Sequence, residues 1–93
     1  MKTKLLVIVP AYNEEQVIAH TLKLLLKELS LLEKKFQIFT EVAVIDDGSK
    51  DKTRLKISKL PVTVLKHRIN RGLVGGLGTG IAYAHKTHAD VIV

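Results

Sequence analysis

The chain has 93 residues, 46% of them hydrophobic and 26% charged, which suits one small globular domain with a modest core. It has no cysteine, which excludes disulfides and thiolate zinc sites, and no apolar run approaches the ~20 residues that span a bilayer. The net charge of +6 favours an anionic partner such as a phosphorylated ligand, a nucleic acid or a membrane surface, although scattered lysines are also typical of a solvated surface.

The first third of the chain predicts a strand followed by a long helix. Residues 4–9 are apolar and rich in Val and Ile, and Pro10 should end this strand because it cannot donate to a sheet. Leucines recur at spacings of three and four over residues 14–34, which indicates an amphipathic helix. Asn13 and Gln16 resemble a capping box at its start.

The remainder continues the alternation of strands and helices. The predicted elements are a strand at 41–45, a loop at 46–50, a short helix at 51–60, a strand at 62–66, a basic loop at 67–72, a glycine-rich helix at 73–85 and a strand at 90–93. Helical crossovers imply a parallel sheet covered on both faces, so we expect a three-layer α/β/α, Rossmann-like domain over residues 1–93. The sequence predicts that this domain is truncated after the fourth strand, whose apolar residues should be buried.

Five glycines lie between Gly72 and Gly80, but they fit neither nucleotide-binding fingerprint. The third position of G-x-G-x-x-G falls on Ile81, and there is no Gly-Lys-Ser/Thr for a P-loop. Two compatible interpretations remain, namely close packing of the helix on the sheet and approach of a phosphate to its first turn. Among the histidines, His67 in the basic loop is predicted to lie on the surface.

Two adjacent carboxylates, Asp46 and Asp47, follow the second strand and are the clearest candidate site. Receiver domains also carry such a pair, but after their first strand, and here the third strand ends without an acid. Parallel strands lie ~4.8 Å apart, so the loop after the first strand should share a crevice with these aspartates. Tyr12 in that loop offers a face for stacking a base, and Glu14 offers acceptors for ribose or base groups. Arg71 and its neighbours suit the phosphates of such a ligand.

Three blocks in this order resemble family 2 glycosyltransferases of the GT-A fold. They are the residues of 7–15 (VIVPAYNEE), those of 44–53 (VIDDGSKDKT), and those of 70–73 with 80–84 (NRGL and GIAYA). The resemblance covers essentially all 93 residues. The third block is most similar to transferases that use dolichyl or polyprenyl phosphate, although Gly78 stands where that subgroup often has a basic residue.

The resemblance implies a nucleotide-diphosphate-sugar site for a UDP- or GDP-sugar, and no nucleic-acid partner. By position, the nucleotide-binding residues are Pro10, Ala11, Tyr12, Glu14, Ile45, Asp46, Asp47 and Arg71. Asp47 is the residue expected to contact the base or ribose, while Asp46 is expected mainly to hold the turn at Gly48 and Ser49. We expect a cytoplasmic location, with association of the complete enzyme with the membrane face as an open alternative.

One part of the family pattern is missing. Such enzymes use Mg²⁺ or Mn²⁺ held by an Asp-x-Asp that follows the fourth strand, which here falls beyond Val93, as do the acceptor site and catalytic base. The sequence therefore predicts no catalytic or metal-binding residue within the chain and no sugar transfer by the chain alone. The alternative hypothesis is a non-catalytic nucleotide-binding module, or one that forms homo-oligomers through the open edge of the fourth strand.

Overall fold

The described elements alternate between strand and helix, as the sequence predicts. The computed structural model describes residues 2–93. In order, these residues form β1 (Thr3–Ala11), α1 (Ile18–Lys35), β2 (Ile38–Asp47), α2 (Thr53–Ile57), β3 (Thr63–His67), α3 (Gly72–Lys86) and β4 (Val91–Ile92). The four strands are parallel and lie in the order β3-β2-β1-β4. The predicted α/β fold with a parallel sheet is confirmed.

Each face of the sheet is covered by different helices because side chains alternate along a strand. One face packs on α1 and α2, and its fully buried members include Ile18, Leu22, Val44 and Ile57. The other face packs on α3, and its core is formed by Leu6, Ala43 and Ala84. No helix within residues 2–93 is long and apolar enough to cross a membrane.

Pro10 does not end the first strand, so that prediction was wrong. β1 continues through Ala11, and Pro10 pairs in register with Ile45 of β2. The reason lies in the direction of the missing N–H. The N–H of Ile8 donates to the carbonyl of Val93 on the β4 side at 2.9 Å, and two residues later the nitrogen of Pro10 points to that same side. Since β2 lies on the opposite side, proline removes no bond from the β1–β2 ladder.

The second strand is also longer than predicted. It begins at Ile38 and includes Asp46 and Asp47, which the sequence placed in a loop. β3 likewise extends to His67. Hydrogen-bonded pairing therefore continues into the polar residues, because each of them finds a partner that compensates for its burial.

Helix starts and the last strand differ from expectation as well. α1 begins at Ile18, and the predicted capping box is absent because the side chain of Asn13 bonds to the N–H of Lys50 instead. α2 is limited to five residues, preceded by Asp51, whose carboxylate accepts the N–H of Thr53 at 2.9 Å. β4 lies at the sheet edge, and Val91 and Ile92 are about half exposed rather than buried.

One glycine of α3 is required for packing. A Cβ atom added at Gly80 would lie 2.6 Å from Cδ1 and 2.8 Å from Cγ2 of Ile8 on β1. Because Cγ2 is fixed at the branch point of a β-strand residue, this side chain has little room to move. A Cβ added at Gly78, on the same helix, would meet nothing within 4 Å. Close packing of the helix on the sheet therefore accounts for Gly80 and not for Gly78.

This contrast gives a matched pair of variants. Gly80→Ala should lower the free energy of unfolding by about 1–3 kcal/mol, because the added methyl overpacks the α3–β1 contact. Gly78→Ala should leave it unchanged or raise it by up to about 1 kcal/mol, because alanine favours helix. Urea denaturation followed by circular dichroism measures both. Equal effects of the two substitutions would contradict the packing argument.

Candidate functional site

A cleft opens at the carboxyl ends of β1 and β2, beside the start of α3. Its volume is about 290 Å³, near the lower end of the range typical of small-molecule sites. It is lined by Pro10, Ala11, Tyr12, Glu14, Ile45, Asp47, Asn70, Gly72, Leu73 and Gly76. The structure thus brings together six of the eight residues predicted to bind a nucleotide.

The loop after β1 is held in place by the loop after β2. The N–H of Asn13 donates to Oγ of Ser49 at 3.0 Å, and Oδ1 of Asn13 accepts the N–H of Lys50 at 2.9 Å. The N–H of Glu14 donates to Oγ1 of Thr53 at 2.8 Å. These bonds leave the ring of Tyr12, 43% exposed, and the exposed side chain of Glu14 at the rim of the cleft.

Asp46 lies on the other face of the sheet and does not line the cleft. It is fully buried, and its two oxygens accept the N–H of Ser49 at 3.2 Å and Nε of Arg54 at 2.8 Å. The carboxylate therefore holds the turn after β2 and the start of α2 to the sheet.

Asp47 points into the cleft and organises the start of α3. Its Oδ1 accepts the N–H of Arg71 at 2.8 Å, and its Oδ2 accepts the N–H of Gly72 at 2.9 Å. Nδ1 of His67 lies 2.7 Å from Oδ1. The hydrogen bond from His67, followed by that from the Arg71 N–H, holds the pKa of Asp47 below its usual value, although burial opposes the shift. The ionised carboxylate of Asp47 thus accepts the backbone N–H groups at the start of α3. The sequence alone had suggested a phosphate as an alternative partner for these groups.

His67 is buried, so its predicted surface position was wrong. Its side chain is 4% exposed, and its Nε2 lies 2.7 Å from Oγ1 of Thr79 on α3. Thr79 in turn donates to the carbonyl of Gly75 at 3.1 Å. His67 therefore connects β2 to α3 beneath the cleft. The reason is the β2–β3 register, which places His67 opposite Asp47 on the same sheet face and which the sequence alone does not show.

Arg71 does not line the cleft, although the sequence predicted it there, and only its backbone N–H reaches Asp47. It lines an adjoining cavity together with Lys66 and Arg68. Four lining residues were not among those predicted, namely Asn70, Gly72, Leu73 and Gly76. Of these, Asn70 orders the loop by accepting the N–H of Gly72 at 2.9 Å. The third block of the resemblance contains Asn70, Gly72 and Leu73, and this was the available signal for them.

The adjacent aspartates do not fit a metal ion. Their carboxylates lie on opposite faces of the sheet, and each is already engaged, Asp46 with a guanidinium and Asp47 with a histidine and two N–H groups. A cation would have to displace these donors. Residues 2–93 contain no group of three or more His, Asp or Glu residues placed to hold a metal. The receiver-domain hypothesis, which needs such an ion at this pair, finds no support in this geometry.

Comparison with protein families identifies the chain. The family model described as glycosyl transferase family 2 matches residues 6–92. The chain belongs to glycosyl transferase family 2. This match contains the whole cleft, so the site described above is part of the family 2 domain.

This family 2 chain is similar in sequence to the following three proteins. An uncharacterized protein of Methanocaldococcus jannaschii is 46% identical over 92 residues, covering 99% of this chain and 34% of the relative. A dolichyl-phosphate beta-glucosyltransferase of Dictyostelium discoideum is 40% identical over 83 residues, covering 81% and 25%. A UDP-N-acetylglucosamine–dolichyl-phosphate N-acetylglucosaminyltransferase of Methanococcus voltae is 29% identical over 103 residues, covering 92% and 38%. The chain thus spans between a quarter and two fifths of the length of these relatives.

The depressed pKa of Asp47 predicts a pH dependence of stability. A carboxyl whose pKa is lower in the folded state stabilises the fold above its unfolded value of about 3.9, and this contribution is lost as the pH falls through the folded value. Asp47→Asn cannot titrate. The difference in free energy of unfolding between the two proteins should therefore shrink as the pH is lowered from about 6 to about 2.

Denaturation at a series of pH values measures this difference. The pKa values of Glu41 and Asp51 are also lowered, but both groups are present in the two proteins and their effects cancel. A difference that stays constant with pH would show that the Asp47 carboxylate is not stabilised by its partners.

Proposed function

We propose that this chain binds the nucleotide half of a UDP- or GDP-sugar, as part of a family 2 glycosyltransferase. The observation that carries the proposal is the cleft itself. It combines an exposed aromatic ring, two carboxylates and an apolar floor at the carboxyl edge of a parallel sheet, where ligands of open α/β folds bind. The family match over residues 6–92 supports it.

Each part of the cleft suits one part of a nucleoside. Ile45, with no exposed surface, forms the floor, and the ring of Tyr12 at the rim is free to stack on a base. Oδ2 of Asp47 accepts one N–H, so it keeps a lone pair for a base N–H or a ribose hydroxyl. The exposed Glu14 carboxylate offers a second acceptor, and Pro10 and Ala11 also line the cleft.

The names of two relatives suggest the rest of the reaction. Both act on dolichyl phosphate, and one uses UDP-N-acetylglucosamine. We infer a polyprenyl-type phosphate as the acceptor of the complete protein and a UDP-sugar as the first donor to test. Mg²⁺ or Mn²⁺ would supply the counter-charge for the diphosphate. Because the adjacent Asp46 and Asp47 do not fit a metal, we assign that ion to other residues of the complete enzyme.

The binding site is tested by calorimetry with UDP, GDP and their sugars. We expect weak binding that is lost on Tyr12→Ala, because the base loses its stacking surface, and on Asp47→Ala, because both the acceptor and the order of the α3 start are lost. Phe39→Ala is the matched control, since this aromatic side chain is 53% exposed near the start of β2 at the opposite edge. If neither Tyr12→Ala nor Asp47→Ala weakens nucleotide binding, the assignment of the cleft as the nucleotide site is wrong.

Catalysis is tested separately on the same protein. With a radiolabelled UDP-sugar, Mg²⁺ and a polyprenyl phosphate, we expect no labelled lipid product from residues 1–93 alone, because residues 2–93 contain no group of three or more His, Asp or Glu residues placed to hold the metal. The full-length dolichyl-phosphate beta-glucosyltransferase of Dictyostelium discoideum, assayed with its own donor, serves as the positive control. Turnover by the 93-residue chain would contradict the assignment of the metal to other residues of the complete enzyme.

A further inference from the structure

The net charge of the chain comes from one segment. Residues 48–72 contain eight of the fifteen Lys and Arg residues and only one of the nine Asp and Glu residues. This segment therefore carries +7 and the rest of the chain −1, which together give the formal +6. The scattered distribution suggested by the sequence is thus misleading, because the positive charge beyond residue 72 and before residue 48 is balanced by acids.

The fold gathers the cations of two loops onto one surface. Lys50 follows β2, while Lys66, Arg68 and Arg71 lie at and after the end of β3, and the side chains of all four are exposed. Two shallow cavities run along them and share Lys66 and Arg68. We call the surface formed by Lys50, Lys66, Arg68, Ile69 and Arg71 the basic surface.

Nearby acids do not neutralise the basic surface. Asp46 is buried and paired with Arg54, and Asp47 is bonded to His67. None of the four cations of the basic surface lies within salt-bridge distance of a carboxylate in the part of the chain that the structure describes. Their charges therefore repel one another unless an anionic partner is present.

An aliphatic side chain stands among these cations. Ile69, next to Arg68, is 72% exposed. Its backbone is held against the turn after β2, because a Cβ at Gly48 would come within 3.0 Å of the Ile69 carbonyl carbon and 2.9 Å of the Asn70 nitrogen. The loop is thus braced in a conformation that presents Ile69 to solvent, with nothing in the described chain to cover it.

The presence of an exposed isoleucine among the cations indicates which kind of anionic partner the basic surface suits. Nucleic-acid surfaces of this kind use exposed aromatic side chains to stack bases, and the two cavities of the basic surface contain no Phe, Tyr or Trp, while their His67 is buried. A bilayer of anionic lipids attracts Lys and Arg to its headgroups and accepts an aliphatic side chain at its interface. We propose that the basic surface docks on an anionic lipid bilayer, with Ile69 inserted between the headgroups. This inference rests on charge and exposure and is independent of nucleotide binding.

Co-sedimentation with vesicles tests the electrostatic part. The 93-residue protein should bind vesicles that contain phosphatidylglycerol and not vesicles of phosphatidylcholine alone, and high salt should release it. Lys66→Ala with Arg68→Ala should lower the partition coefficient by at least about tenfold, given the attraction expected of each cation. The matched control is Lys23→Ala with Lys27→Ala, which removes the same charge from the exposed side of α1 and should change it less than about twofold.

A second pair of variants tests the insertion. Ile69→Ser should weaken vesicle binding, most clearly at a salt concentration that screens the charges, whereas Leu24→Ser on α1, where Leu24 is 53% exposed, should not. All six altered positions on the two surfaces are solvent-exposed, and circular dichroism checks that each variant is folded.

Three results would overturn the proposal. The first is that the α1 control pair loses as much vesicle binding as the Lys66→Ala, Arg68→Ala pair, which would mean that vesicle binding depends only on the net charge of the protein. The second is tighter binding to single-stranded RNA or duplex DNA than to the vesicles. The third is a Lys66→Ala, Arg68→Ala variant that keeps vesicle binding and loses UDP or GDP binding, which would assign these cations to the phosphates of the nucleotide. Since nucleotide binding and vesicle binding are measured separately, either can fail while the other holds.

Discussion

The structure depends on the burial of two adjacent carboxylates at the end of one strand. Asp46 and Asp47 would repel each other strongly if they shared an environment. The alternation of side chains along β2 sends them to opposite faces of the sheet, where each has its own donors. Breaking either set would leave a buried charge without partners, which is far more costly than losing an ordinary hydrogen bond. The end of β2 therefore holds the helices and loops on both faces of the sheet in place.

This division explains how the cleft is formed from separate segments. Through Asp46, β2 fixes the turn that holds the loop carrying Tyr12. Through Asp47, it fixes the start of α3, with His67 and Thr79 continuing the connection into the helix. Within residues 2–93 no buried side-chain nitrogen or oxygen lacks a hydrogen-bond partner. The walls of the cleft are thus ordered before any ligand arrives, which reduces the entropy that binding must overcome.

Local patterns in the sequence were sufficient for the fold and for most of the cleft. Leucine spacing located α1, and the rule that parallel strands end at one edge brought Tyr12 and Asp47 together. What could not be predicted depends on partners distant in sequence. A histidine in a basic loop looks the same whether it is solvated or bonded to Asp47, and only the β2–β3 register decides. Pro10 and Asp46 were placed outside strands because their burial is acceptable only with neighbours that no local window contains. The clustering of cations arises in the same way, since Lys50 and Arg68 come from different loops.

The position of Pro10 has a consequence for the open side of the sheet. Toward β4, donors along β1 occur at every second residue, and Ile8 supplies the last of them to Val93. The next would be the nitrogen of Pro10, which carries no hydrogen. The β4 side of β1 therefore offers no backbone donor at Pro10, the residue at which the strand reaches the cleft. A single imino acid thus makes the open edge of β1 a weaker template for strand pairing at the cleft than it is at Leu6 and Ile8.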